Sequence, residues 1–393
     1  DLVRSRGLGD VYKRQDPSAP YVKGNRFSTS TFTGGGFTPF VTQGNPALRP
    51  EFSQQFETGV EMKFLSNRLS IDFAYYDNRT KDQLINPRIS YASGAILQWI
   101  NGGTVQNRGI EIQLIGTPVR TKNFNWESIV NFGRNRNKIL EMPAGLPQFY
   151  NSDTWIANIR NIAVQGGSIF QLAANRFDRN GNGDLVISQT TGLPIRIFDY
   201  TVVADRQPDF TMGLINNFTF FKNFSLSFNL DVRVGGDVYN GTEEFLYVRG
   251  LSKRTLDREV PRVVKGVLND GLQNTTTPTP NSIVLTPLFR SDYYTAGTIA
   301  EDFIERDVHW VRMRDLTFAY NLPSKLLKKQ RVVKNAAITF TGTDLFILTN
   351  YSGADPSANA NNASSRGGIG GVGLDFGNLA TPRGLNIGIK AQF

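Results

Sequence analysis

The chain has no cysteine and a single histidine, His309. The first absence removes disulfides, thiolate nucleophiles and cysteine-based zinc sites, and the second nearly removes histidine triads and histidine-rich metal centres. No apolar run approaches the roughly 20 residues that a membrane helix needs, and no secretory leader is visible at the start. Concentrated charge is also lacking. The net charge is +9 over 393 residues, with no basic cluster of the kind a nucleic-acid interface needs, so no nucleic-acid partner is expected. What is present is a chain of moderate charge, prominent in Gly, Asn, Thr and Phe, long enough for two or three ordinary domains or one large β domain.

Residues 1–15 stand apart. Ser5–Gln15, SRGLGDVYKRQ, back-translates as a transposase-type sequencing adapter read in frame; the alternative is a genuine basic arm. Residues 1–15 are therefore set aside as an expected artefact, and a missing true N-terminus is expected with it. They carry two of the nine net positive charges.

Period-two alternation recurs through the rest. Phe56, Thr58, Val60, Met62 and Phe64 oppose Glu57, Gly59, Glu61 and Lys63. Leu226, Phe228, Leu230, Val232 and Val234 oppose Ser225, Ser227, Asn229, Asp231 and Arg233. The stretches at Leu69–Tyr76, Ile110–Leu114 and Phe124–Phe132 read the same way, and Asp209–Phe221 more weakly. Each predicts a strand with one greasy and one wet face. Val308–Tyr320 and Ala336–Leu348 add strands with parity slips that suggest bulges.

Connections alternate between short and long. LSN, IGTPVRTKN, KN and the compact NLPSKLLKKQRVV lie on one side. Lys81–Val105, Lys138–Pro208, Gly235–Asp307 and Tyr351–Pro382 lie on the other. Loops that long are uncommon in a compact soluble domain, whereas short turns on one side and long loops on the other suit an outer-membrane barrel. The expected fold is all-β: an antiparallel up-and-down transmembrane β-barrel. In this chain it is a partial, open barrel of about nine or ten strands with long extracellular loops. At roughly 10–13 residues, the expected strands cross a bilayer when tilted. Phe64, Phe124, Trp126, Phe220, Phe221, Phe224, Tyr320 and Phe393 gather at the short-turn ends, where an aromatic girdle belongs. The closing LNIGIKAQF keeps full alternation to its terminal Phe393, so that Phe393 ends at the girdle.

Several stretches resemble the C-terminal part of a SusC/RagA-type TonB-dependent outer-membrane transporter. NPALRPEFSQQFETGVEMKF (Asn45–Phe64) and NGGTVQNRGIEIQL (Asn101–Leu114) resemble hairpin segments of TonB-dependent receptors generally. DLFILTNYSGADPSAN (Asp344–Asn359) resembles the segment particular to the SusC group, with Asp344 where Asn is frequent and Ser357 where Glu is common. RDVHWVRMRDLTFAYNLPSKLL and TPRGLNIGIKAQF also fit. The resemblance covers nearly everything from about Pro20 onward. It implies a 22-strand barrel, of which residues 16–393 are the C-terminal part, with the plug, TonB box and first barrel strands missing. It further implies an outer-membrane location in a Gram-negative, Bacteroidetes-like bacterium. Implied partners are a SusD-like surface lipoprotein, the TonB–ExbB–ExbD complex, the barrel-assembly machinery that reads Phe393 as a signal, and outer-membrane lipid. The implied function is import of oligosaccharide or peptide nutrients. Alternatives are a TonB-dependent siderophore or cobalamin receptor, and a non-transporting sugar-binding or adhesive β protein.

Asp178, Asn180, Asn182 and Asp184, with Gly183 between them, match the spacing of a calcium loop. Position twelve is Gln189 rather than Glu, and the other reading is an Asx-rich loop bonded to itself. Wet-face charges such as Glu57, Glu61, Asp72, Glu111, Glu127 and Asp231 suit either a substrate path or a solvated lumen. Nothing sets Glu57 and Glu61 across a substrate, so no enzyme and no cofactor beyond possible calcium is expected. Loop aromatics Trp99, Tyr150, Trp155, Tyr247, Tyr293 and Tyr294 suit stacking on sugars or contact with a lid, but aromatics also bind loops to one another. Of these, Trp99, Trp155, Tyr293 and Tyr294 are the candidate substrate contacts.

Overall fold

The computed structural model describes residues 27–29, 37–39, 42–150, 159–327, 332–357 and 371–392. Nine strands form one antiparallel sheet. They are β1 (Phe52–Phe64), β2 (Leu69–Lys81), β3 (Thr104–Arg120), β4 (Phe124–Glu141) and β5 (Phe210–Phe220), then β6 (Phe224–Val234), β7 (Trp310–Asn321), β8 (Asn335–Thr349) and β9 (Gly384–Gln392). Each strand pairs with its neighbours in sequence, so the sheet is an up-and-down meander. Among the described residues β1 pairs with β2 alone and β9 with β8 alone, so the barrel is open, as its sequence predicts.

Cross-strand register sorts the side chains. Phe220 faces Phe224, Phe218 faces Leu226, Leu214 faces Leu230 and Met212 faces Val232. The same row runs through Phe124, Trp126, Val130 and Phe132 on β4 and through Tyr320, Phe318 and Leu316 on β7. On β9 it ends as Leu385, Ile387 and Ile389, which are 85%, 75% and 79% exposed. A continuous apolar face this bare is stable only where the surrounding medium is itself apolar. The other row is polar: Ser225, Ser227, Asn229 and Asp231 face Thr219, Asn217, Ile215 and Gly213. Asn216 is a polar residue on the apolar row, and its Oδ1 accepts the Trp126 indole N–H at 2.8 Å, which satisfies both groups locally.

Tight turns close one end. Leu65, Ser66 and Asn67 all take left-handed φ values of 52°, 55° and 65°, and Arg68 N–H closes the turn on Phe64 O. The third connection is shorter than the sequence predicts. β3 continues to Arg120, and the ladder skips between Trp126 and Ser128 opposite Thr117–Pro118. Pro118 has no N–H to give, so the strand bulges there instead of turning. A short helix at Ser324–Leu327 lies in the compact β7–β8 connection. The girdle forms contacts at this end: Phe224 packs on Tyr320 at 4.7 Å and Phe124 on Phe220 at 5.2 Å. Phe393 lies outside the described residues.

The parity slip in the β7 stretch is a bulge, between Met313 and Asp315 opposite Phe346 and Thr343. It swings Arg314 to the polar side, where it reaches Asp231 at 2.8 Å. β3 and β4 are 17 and 18 residues long, beyond the expected strand length. They run past the apolar band, and their outward row becomes Arg134, Arg136 and Lys138 opposite Ile110, Arg108 and Gln106.

The long connections are not mere loops. They leave the sheet on the side opposite the tight turns and pack with one another. Ile159, Leu172 and Val203 from the second meet Tyr239 and Phe303 from the third and Leu374 from the fourth in one buried cluster. Small sheets order them: Gln171–Phe177 pairs with Ile159–Asn161 and Arg196–Asp205, and Val238–Asn240 pairs with Ile304–Glu305 and Leu374–Asp375. Helix α1, Gly241–Val248, is capped by Asn240, whose side chain accepts Glu243 N–H at 3.0 Å. The main hydrophobic core therefore sits above the sheet.

The two faces predict an asymmetric response. Phe228→Arg puts a cation on the apolar row and is expected to cost about 2–4 kcal/mol near the membrane midplane, whereas Asn229→Arg on the polar row costs much less. Folding titrations into lipid vesicles compare them; equal losses would show that the two rows do not differ in surroundings, and a larger loss for Asn229→Arg that the faces are reversed.

Candidate functional site

The sheet curls around its polar face. A hollow of about 580 Å³ there is lined from six strands, with Glu57, Asp72, Glu111, Gln113, Asn131 and Asp231 among its walls. Part of the polar face, in this hollow and beside it, is bonded within itself. Gln113 Nε2 donates to Asn131 Oδ1 at 2.8 Å, Asn217 Nδ2 to Glu127 at 3.2 Å, and Tyr76 Oη to Asn135 Oδ1 at 3.1 Å. Glu61 and Lys63 pair at 2.7 Å. Asp72 makes no ion pair or hydrogen bond through its side chain among the described residues, so a polar solute meets at least one unclaimed carboxylate.

At the mouth of the hollow, buried charges tie the loops to the strands. Arg312 on β7 is 2% exposed and Asp355 in the fourth loop 7%. The Arg312 guanidinium bonds Asp355 Oδ1 and reaches Ser357 Oγ at 3.2 Å and Asp344 Oδ1 at 3.3 Å. Asp355 also accepts Ser357 N–H at 3.0 Å and the Thr381 hydroxyl at 2.7 Å. Burial alone would raise the Asp355 carboxyl, but the bonds from Ser357, Thr381 and Arg312 outweigh it and hold the group well below its ordinary 3.8. Tyr351 donates to Asp375 at 2.7 Å, and burial pushes its phenol far up. The YSGADP segment is thus an anchor. Asp344, where the resemblance favours Asn, is a partner of the same arginine. Nearby, Asp237 accepts Asp205 N–H at 3.0 Å and Asp307 N–H at 3.2 Å. The buried Arg206 guanidinium, pulled down to about 10 by desolvation, donates to Phe170 O at 2.9 Å and to Val372 O. Nothing in the sequence reveals these anchors, although Arg312 stands within RDVHWVRMRDLTFAY.

The candidate aromatics divide. Tyr293 and Tyr294 come together with Tyr247 of α1, edge to face, at 5.1 and 5.0 Å. Arg254 lies 5.0 Å over Tyr247 and Arg262 5.9 Å over Tyr293. Burial pushes the Tyr247 phenol up to about 12. The two outer tyrosines stay half-buried, leaving ring surface for a planar or ring-shaped partner. Trp99 lies in the first loop, where its N–H bonds Gln43 O at 3.2 Å, and is not part of this cluster. Trp155 lies outside the described residues. A second aromatic pair, Tyr150 and Tyr200, holds Arg160 at 4.9 and 4.0 Å.

The Asp178–Asp184 loop closes on itself. Asn180 Oδ1 accepts the N–H groups of Asn182 at 3.0 Å and Asp184 at 2.8 Å, and Asn180 Nδ2 donates to Gln273 O at 3.0 Å. Arg179 donates to Gly183 O at 2.7 Å. A cation at this spacing would compete with those bonds for Asn180 Oδ1. Among the described residues no group of three His, Asp or Glu side chains is placed to hold a metal.

Comparison with known proteins gives these shapes a context. The family model for the TonB dependent receptor-like β-barrel matches residues 8–240. TonB-dependent receptor P3 of Formosa agariphila is 28% identical over 369 residues, covering 89% of this chain and 35% of that protein. TonB-dependent receptor SusC of Bacteroides thetaiotaomicron is 23% identical over 354 residues, covering 86% of this chain and 32% of that protein. The chain thus spans about a third of the length of these curated relatives. Among solved structures, the RagAB peptide transporter superposes with a TM-score of 0.65 at 22% identity, over 95% of this chain and 39% of that one, which is a likeness of fold.

Breaking the anchor is expected to free the fourth loop. Asp355→Ala leaves the Arg312 charge buried beside Asp344 alone, a loss of about 3–5 kcal/mol for pairs of this kind. Because the folded Asp355 pKa is depressed, its contribution is present above the ordinary 3.8 and is lost as pH falls below it. Hydrogen exchange across 351–357 and 374–381 reads both effects. The wild type should lose protection on acidification and the variant should start unprotected. Equal protection in the two proteins at neutral pH would show that the pair holds nothing.

Proposed function

We propose a function from one premise: the chain belongs to the TonB-dependent receptor-like β-barrel family. On this reading it forms barrel strands and surface loops of a SusC/RagA-type importer in the outer membrane of a Bacteroidetes-type bacterium. The observation that carries the proposal is the nine-strand meander with a bare apolar face, a polar hollow on its other side and a packed cap of loops at one end. Such a body separates lipid from an aqueous path and presents a built surface at the path's mouth. Its work is passage rather than catalysis. The edges of β1 and β9 find their partners in further strands of the longer barrel, since lipid offers unpaired backbone groups none. Energy comes through TonB–ExbB–ExbD, acting on a plug outside this chain.

The cargo class is an oligosaccharide or a peptide. The half-buried Tyr293 and Tyr294 rings, flanked by Arg262, supply stacking surface for sugar rings or peptide side chains. A SusD-like surface lipoprotein covers the loop cap, where Leu251, Leu256, Val260 and Phe289 are exposed. Apolar side chains clustered in one segment of a polar cap suit a protein lid.

The test uses the full-length protein in its own membrane. A strain lacking it should lose growth on one class of oligosaccharide or peptide, and collapsing the proton gradient should stop uptake in the wild type. Tyr293→Ala with Tyr294→Ala should raise the half-saturating concentration about tenfold, the scale of two lost stacking contacts. Uptake that survives deletion of the protein would overturn the proposal.

A further inference from the structure

The outward rim of β3 and β4 carries a cationic hollow that import does not use. Arg108 lies directly opposite Arg136, and Arg134 opposite Ile110, all on the row that is apolar lower down. Like charges directly opposite on one sheet face repel. Two hollows of about 570 and 260 Å³ share Arg108, Arg134 and Arg136 as walls, and the larger adds Lys138. Arg136 is occupied, by Asp209 and by Pro208 O at 2.6 Å. Arg108, Arg134 and Lys138 are exposed, and none makes an ion pair or side-chain hydrogen bond among the described residues. The neighbouring carboxylates already hold other partners. Asp77, opposite Arg108 on β2, takes Gln106 Nε2 at 2.7 Å and Arg79 at 3.3 Å. Asp205, on the wall of the larger hollow, takes the Ser168 hydroxyl and Gln207 N–H, each at 2.9 Å. Asp77 faces Arg108 and Asp209 pairs with Arg136, so the repulsion is offset only in part, and Arg134 and Lys138 have no carboxylate partner among the described residues.

The depth is informative. From the girdle residue Phe124 to Arg134, at about 3.3 Å per residue and a tilt of about 40°, is about 25 Å across the membrane, the height of the apolar band in such barrels. Arg134 therefore sits at the outer edge of the hydrocarbon, with Arg136, Arg108 and Lys138 just above. That is the level of lipid headgroups. Guanidinium forks grip phosphate oxygens two at a time, and basic pockets at this level suit phosphorylated headgroups. Roofing by Gly166, Gly167 and Gln171 makes the larger site a recess rather than a flat patch.

We propose that Arg108, Arg134 and Lys138 bind the phosphate of an anionic lipid headgroup in the outer leaflet, so that the rim of the barrel holds a specific annular lipid. The inference rests on the membrane-barrel reading given above. Free phosphate has the same chemistry but lacks the acyl chains that would lie on Ile110, Ile112 and Phe132 beneath.

The full-length protein, purified in detergent, is titrated with bis-phosphorylated lipid A, with the same lipid after phosphatase treatment, and with inorganic phosphate, and bound lipid is counted by native mass spectrometry. Saturable binding of the phosphorylated lipid is expected, at least tenfold tighter than the dephosphorylated one. Inorganic phosphate at millimolar concentration should not displace it. Arg108→Gln with Arg134→Gln should lose that preference while the protein still migrates as a heat-modifiable barrel. Equal binding of the two lipids by the wild type would overturn the proposal without needing a variant. So would full displacement by inorganic phosphate, which would make this a free-anion site, or an undiminished preference in the double variant. A protein that forms no heat-modifiable barrel would instead overturn the membrane reading beneath it.

Discussion

In hydrocarbon a peptide group has no water to bond, so every N–H and C=O must find its partner inside the protein. That constraint orders the whole sheet. It requires neighbouring strands to run as an unbroken ladder, which the meander from β1 to β9 provides with each strand paired to the next in sequence. It also explains why the irregularities lie where they do. The β3–β4 skip falls at Thr117–Pro118, close to the tight turn, and the β7–β8 bulge opens toward Arg314, Asp344 and the polar hollow. The same logic applies to Asn216, a side chain on the apolar row that is satisfied by Trp126 within the protein.

A sheet with lipid on one side and water on the other has no interior, and the burial that normally stabilises a domain must be found elsewhere. In this chain it is found in the loops. Three long connections contribute to one cluster around Tyr239, Leu172 and Phe303. A second, around Val238, Val308, Trp310 and Tyr351, joins that cluster to the start of β7. Anchors such as Arg312–Asp355 then join the cap to the strands through charges that are buried and answered. A charge pair out of water adds little net stability compared with an apolar pair, but it tolerates only one partner geometry. The cap is thereby fixed over the hollow in one register.

How much of this was legible depended on where a residue lies. Phe224–Val234 declares itself, because one face meets lipid and the other water along its whole length. β4 is legible only to Phe132, since beyond it Arg134, Arg136 and Lys138 replace the apolar residues once the strand leaves the band, and alternation no longer contrasts greasy with wet. Gln171–Phe177 was not readable as a strand: Leu172, Ala173, Ala174 and Asn175 are all buried, so no alternation survives. YSGADP was visible as a resemblance, but nothing local shows that Asp355 answers an arginine forty-three residues earlier. Tyr293 and Tyr294 stand out as loop aromatics in the sequence, but their union with Tyr247 depends on the packing of α1. The loop at Asn180 fitted two readings by spacing alone, because calcium and backbone N–H groups ask for the same oxygens.

The strands can finally be read as a depth scale. At the bottom, Phe124, Phe220, Phe224 and Tyr320 stack where short left-handed turns leave no slack for insertion. Leu214, Val130 and Leu230 fill the middle, where only apolar side chains are tolerated. Guanidinium groups appear at the top of the band, and above them the chain escapes the bilayer's demand for alternation altogether. Residues there answer to ordinary aqueous packing, which accepts long insertions, small sheets and helices. The membrane therefore divides the sequence into a constrained part, which repeats one physical solution nine times, and a free part, which differs from loop to loop. Chemical variety therefore lies in the free part and in the polar row that faces the hollow, because the lipid-facing residues are confined to apolar side chains.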